Sequence, residues 1–178
     1  LQESRINWIV IVSFIPIAFI TYFFHECGHW TFGELSGNDM GLHLNNSAPQ
    51  AGHFIKESHA LWSAIGGPVF TIIQALLFLL ITWKTKSSLA YSFVFFAVFS
   101  RFFSIIFGGI NLQDEARIAS MVGVSKFLVA GIVLAILSLI LWKCNKIMKL
   151  DVKALGYYMV LGVFAVLIVI GVNGLMVM

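Results

Sequence analysis

The apolar residues of this chain come in unbroken stretches of about twenty, the length at which a helix crosses the roughly 30 Å of hydrocarbon in a bilayer. Five such stretches can be read, at approximately 8–24, 61–83, 89–107, 122–142 and 157–177. Of 178 residues, 60% are hydrophobic and only 11% are charged, more apolar surface than a soluble domain of this size can hide. Barrel strands would alternate apolar and polar residues over about ten positions, whereas these runs are continuous, so helices are expected. The expected fold is all-α: a polytopic transmembrane helix bundle of about five spans, forming one integral membrane domain over 1–178, with a long loop after the first span.

The first run leads directly into His25-Glu26-Cys27-Gly28-His29 and shows no small-residue cleavage pattern, so it reads as a membrane helix rather than a signal peptide. The formal charge of +3 is spread among loops, which excludes a nucleic-acid partner and leaves the lipid bilayer as the expected one. The densest basic group, Lys143, Lys146, Lys149 and Lys153, lies between the fourth and fifth runs, where positive charge marks the cytoplasmic side. With a cytoplasmic N-terminus, Arg5, Lys84, Lys86 and those four lysines fall inside and Lys56, Arg117 and Lys126 outside, seven against three with intramembrane Arg101 left out. Cys27 and Cys144 then fall at opposite membrane faces and cannot pair.

Residues 33–60 hold the turn formers Gly37, Asn38, Asp39, Asn45, Asn46, Ser47 and Pro49, consistent with a small hairpin or lid beside the first helix, or with a solvated linker. Two glycine breaks are expected. Gly66-Gly67-Pro68 opens the second run, since Pro68 suits only the first turn of a regular helix, and Gly108-Gly109 closes the third just before Asn111. Irregular backbone at membrane depth must be satisfied by protein or by a water-filled cavity, so both breaks either line one site or are simple helix ends.

His25 and His29 stand four residues apart, which on a helix aligns both imidazoles on one face, one turn apart. Glu26 follows the first imidazole and projects to the side, where it can hydrogen-bond a water rather than ligate an ion. This HExxH pattern at the end of a membrane helix, where His and Glu are costly without a compensating cation, predicts bound Zn2+ with Glu26 as general base. A catalytic zinc needs a third protein ligand. The connection after the third run returns to the membrane face where His25 and His29 sit, and it carries Asp114 and Glu115; Asp151 falls on the opposite face. Asp114 is the preferred ligand, with Glu115 the alternative and His43, His53, His59 and Glu34 remaining open. The acidic pair is also suited to the N-terminal dipole of a helix starting there.

In these motifs the chain resembles the zinc-dependent intramembrane proteases of the site-2 protease family. The likeness rests on a hydrophobic helix carrying His25-Glu26-Cys27-Gly28-His29, on Gly66-Gly67-Pro68, and on Asn111 followed by Asp114, and it covers roughly the first 120 residues. It implies a metal-binding core over approximately 6–120, with two His ligands and an Asp, additional helices over approximately 121–178, and cleavage of peptide bonds in or near the membrane. Where the family has Asn, then Pro, then Asp-Gly, this chain has Asn111 and then Asp114-Glu115 with neither Pro nor Gly. A weaker resemblance, of Glu115-Ala116-Arg117 to membrane zinc proteases with a Glu ligand, would make Glu115 the ligand.

The expected activity is hydrolysis of a peptide bond in a membrane protein or peptide substrate. Arg101, an intramembrane charge, is expected to pair with an acid, approach the substrate backbone or snorkel to the interface. Gln74 and Asn111 are further candidates for substrate contact, Gln74 equally for helix-to-helix bonding. Two other functional classes fit the same residues: a non-proteolytic zinc-binding membrane sensor or scaffold, and a metal-ion transporter.

Overall fold

The computed structural model describes residues 7–176, so Arg5 lies outside the described residues. Among the described residues the main elements are six α-helices and one short hairpin: α1 (Trp8–Leu35), β1 (Met40–His43), β2 (Asn46–Pro49), α2 (Glu57–Thr85), α3 (Ser88–Phe103), α4 (Asp114–Val122), α5 (Lys126–Met148) and α6 (Val152–Met176). Among the described residues five helical stretches are long and apolar enough to span a bilayer: α1, α2, α3 continued to Leu112, α5 and α6. The all-α bundle expected from the hydrophobic runs is the observed architecture, and the chain is a multi-pass membrane protein by these helices.

Opposite ends of the bundle can be told apart by their contacts. At one end Tyr91, near the start of α3, donates to the Asn145 side chain at 2.5 Å, and Tyr158, near the start of α6, donates to the Ser88 carbonyl at 3.5 Å. At the other end Lys126, opening α5, donates to Asn111. An aromatic core runs inward from the first end, where Tyr91 meets Tyr158 edge-on at 4.8 Å, to Phe14, which meets Phe96 edge-on at 5.9 Å. Such edge-to-face pairs supply packing energy that lipid-surrounded helices cannot draw from hydrophobic burial alone. Cys27 and Cys144 are free thiols.

Four expectations need correction. The first helix runs eleven residues beyond 24, to Leu35, so the histidines sit inside it rather than at its end. Pro68 does not open the second helix; α2 starts at Glu57 and Pro68 is interior. Such prolines are tolerated in membrane helices, where neighbouring groups satisfy the freed carbonyl. The third run is not helical in one register: α3 gives way to a π-helical turn at Ser104–Gly109 and a 3-10 turn at Ile110–Leu112. The run expected at 122–142 is offset, because Val122 ends the separate helix α4 and α5 begins at Lys126.

The long loop folds as the hairpin β1–β2, paired Met40↔Pro49 through His43↔Asn46. It is tied to the last turns of α1: Trp30 Nε1 donates to the Met40 carbonyl at 3.1 Å, and Met40 N–H donates to Glu34 at 2.8 Å.

Candidate metal centre

Tyr22, His25, Glu26 and His29 share one face of α1 by their spacing. At about 1.5 Å per residue, His25 stands roughly 25 Å along the helix from Trp8, towards the far boundary of the hydrocarbon. That face meets α2 at very close range. A Cβ on Gly28 would strike the carbonyl of Gly66, and one on Gly66 would strike the carbonyl of Gly28. A Cβ on Gly67 would collide with both imidazoles, so Gly67 makes the room in which the two rings stand.

Each imidazole is oriented by a partner on α2. His25 Nδ1 lies 2.9 Å from Thr71 Oγ1, whose own proton goes to the Gly67 carbonyl at 3.1 Å, so the hydroxyl accepts from Nδ1–H. His29 Nδ1 lies 2.7 Å from the Ser63 carbonyl, which can only accept. In both neutral rings the proton is therefore on Nδ1 and the lone pair on Nε2. The two Nε2 atoms face one another at 3.2 Å. Asp114, the first residue of α4, adds Oδ2 at 3.0 Å from His25 Nε2 and Oδ1 at 3.4 Å from His29 Nε2.

Two nitrogen lone pairs and a carboxylate converge here with their ligand atoms all within 4.8 Å of one another. Acceptors so placed repel unless a positive charge sits among them. Two imidazoles and one carboxylate, bordering a cavity, are the donor set of catalytic zinc sites, and the residues fit that ion. The orienting bonds from Thr71 and Ser63 are the outer contacts such ligands require.

Asp114 is also held by a cation. Arg101 NH1 stands 3.5 Å from Asp114 Oδ2 while its NH2 donates to Glu115. Gln113, preceding Asp114, donates to the carbonyls of Ser104 and Gly109 at 3.2 and 3.3 Å, satisfying the irregular backbone that delivers Asp114.

Glu26 is 8% exposed and lines, with His25, His29, Arg101 and Asp114, a cavity of about 380 Å³. The hairpin closes one side of it: Asn45, Asn46 and Ser47 border the cavity, and the Ser47 backbone interacts with the Glu26 carboxylate.

Of the residues expected at the site, His25, His29, Asp114 and Glu26 come together, and Arg101 joins them. Arg101 does not snorkel; it is 8% exposed and ion-paired. Glu115 faces Arg101 instead of the imidazoles. Gln74 is buried and donates to Thr21 on α1 at 2.8 Å, a helix-to-helix bond, and it is not among the residues that line the cavity. Asn111 accepts from Lys126 and also lies outside that lining. Glu34 is engaged by the Met40 amide, His59 faces Asn38 at 3.3 Å, and His43 and His53 are exposed. Among the described residues only His25, His29 and Asp114 form a three-ligand group.

Ser63, Thr71 and Gly67 were not singled out from sequence as partners of the imidazoles. Their signal was a face of small and hydroxyl residues on α2, Ala60, Ser63, Ala64, Gly67 and Thr71, at helical spacing. No protein-family model, curated protein or solved structure matches the chain.

Proposed function

We propose that this chain is a zinc metalloendopeptidase that hydrolyses a peptide bond in a membrane-associated protein or peptide at the boundary of the bilayer. The observation that carries the proposal is the pair of Nδ1–H bonds, to Thr71 and to Ser63, which turns both Nε2 lone pairs towards Asp114 beside Glu26. The likeness of the motifs to those of site-2 proteases supports the same reading.

His25, His29 and Asp114 would hold Zn2+. When bound, the ion supplies Lewis acidity towards a water and the scissile carbonyl. Glu26, the one cavity carboxylate outside the ligand group, takes the proton of the attacking water and returns it to the leaving amine. Arg101 fixes the Asp114 carboxylate through Oδ2, the oxygen that also faces His25. Thr71 and Ser63 keep the histidine protons off the ligating nitrogens. The hairpin limits the water that reaches Glu26, which strengthens every electrostatic contact within the cavity. By the charge rule for membrane proteins the lysine-rich end faces the cytoplasm, and the metal centre faces the opposite side.

The test is Glu26→Gln in purified, lipid-reconstituted protein incubated with zinc and a panel of labelled transmembrane peptides. The proposal expects wild-type cleavage, zinc content equal in both proteins, and loss of at least about a hundredfold in turnover for the variant. Undiminished turnover in Glu26→Gln, or zinc-dependent function without peptide hydrolysis, would favour a sensor or a transporter.

A further inference from the structure

Beside the cavity that holds Glu26 lies a larger groove of about 720 Å³ between the 3-10 turn, α4 and the start of α5. Leu112, Gln113, Asp114 and Arg117 line both, so the groove adjoins the cavity that holds Glu26 at Asp114. Its charge is one-sided. Arg117 and Lys126 are its cations, and its sole acid is Asp114, which sits at the inner junction and is already engaged by His25, His29 and Arg101.

Among the described residues neither cation is ion-paired to a carboxylate. Arg117 is exposed and its guanidinium stands 5.5 Å from the centroid of the Phe54 ring, a contact that leaves the charge intact. Lys126 donates to the neutral Asn111 side chain and lies 5.5 Å from the Phe127 ring. Between the two charges the wall is mixed, with Leu112 and Val124 apolar and Gln113 and Ser120 able to hydrogen-bond. Such a surface suits an extended chain that carries acidic side chains.

We infer that this groove is the approach by which substrate reaches Glu26, and that Arg117 and Lys126 select an acidic segment next to the cleaved bond. The inference rests on the peptidase reading and adds a substrate class to it. A lipid headgroup offers negative charge too, but the polar wall and the shared boundary with the cavity that holds Glu26 favour a peptide. Two exposed ion pairs together give a preference of about fivefold to tenfold, largest at low salt.

The experiment measures binding, so hydrolysis plays no part. The full chain carrying Glu26→Gln, loaded with zinc in phosphatidylcholine nanodiscs, is titrated with fluorescent peptides of one apolar sequence flanked by Asp-Glu or by Asn-Gln. The acidic peptide is expected to bind about fivefold to tenfold more tightly, with the gap narrowing at high salt and closing when Arg117→Gln and Lys126→Gln are added. Equal affinity of the two peptides, or a preference that survives the double substitution, overturns the inference. So does a preference that vanishes when phosphatidylglycerol is added to the discs, because the cations would then belong to lipid headgroups. Peptide hydrolysis undiminished by Glu26→Gln sinks the underlying peptidase reading, whereas loss of charge preference sinks the groove alone.

Discussion

Replacing Glu115 by glutamine should destabilise the bundle and weaken the metal centre together. Glu115 is fully buried at 0% exposure and bonds Arg101, itself 8% exposed, so the pair is shielded from water. Glutamine keeps the shape and loses the charge. Removing one partner of a buried ion pair costs about 3–5 kcal/mol because the other charge is stranded. Here the guanidinium retains Asp114 at 3.5 Å, so the low end, about 3 kcal/mol, is expected. That remaining attraction has a second effect. The oxygen it pulls on, Asp114 Oδ2, is the one 3.0 Å from His25 Nε2, so zinc affinity should fall by about tenfold. Denaturant unfolding in detergent micelles reads the first quantity, and zinc titration against a competing chelator reads the second. Adding Arg101→Met to the Glu115→Gln protein should restore most of the stability without restoring zinc affinity, as a double-mutant cycle would report. Stability within about 0.5 kcal/mol of wild type and unchanged zinc affinity in Glu115→Gln would refute the clamp.

Thr71→Val removes the acceptor for His25 Nδ1–H and should lower zinc affinity by about 10–100-fold while the fold persists, checked by zinc titration and circular dichroism. Gly28→Ala drives a methyl into the Gly66 carbonyl and should cost about 1–3 kcal/mol or more, measured as a lowered unfolding midpoint; a neutral result would mean the helices are not packed this closely. Chelation should lower Tm, with recovery on adding zinc and none on adding magnesium, since two imidazoles disfavour the harder ion.

The spans were legible because lipid imposes a length, and the histidine pair because helical spacing places i and i+4 on one face. The exact helix ends were not. At about 1.5 Å per residue α1 outruns a hydrocarbon layer of roughly 30 Å before it reaches Leu35, and the hairpin docks on its last turns through Trp30 and Glu34, a tertiary contact that local pattern does not carry. Pro68 misled for a related reason. Its cost in water argues for a helix start, whereas the membrane lets the helix continue through it. Asp114 and Glu115 could not be separated by spacing alone, since adjacent residues at a helix start point about 100° apart and either could face inward. The π-helical turn at Ser104–Gly109, stabilised by Gln113, sets the phase of α4 and turns Asp114 to the imidazoles and Glu115 to Arg101. Arg101 carried no visible partner in sequence, because Glu115 is fourteen residues away across that irregular segment.

X-ray absorption at the zinc edge, on protein purified without added metal and then titrated with zinc, measures the donor set itself. The expected result is one zinc per chain bound by two imidazole nitrogens and a carboxylate oxygen, with one imidazole lost in His29→Ala. A chain that takes up no zinc, or a spectrum without imidazole scattering, would contradict the shared use of His25, His29 and Asp114.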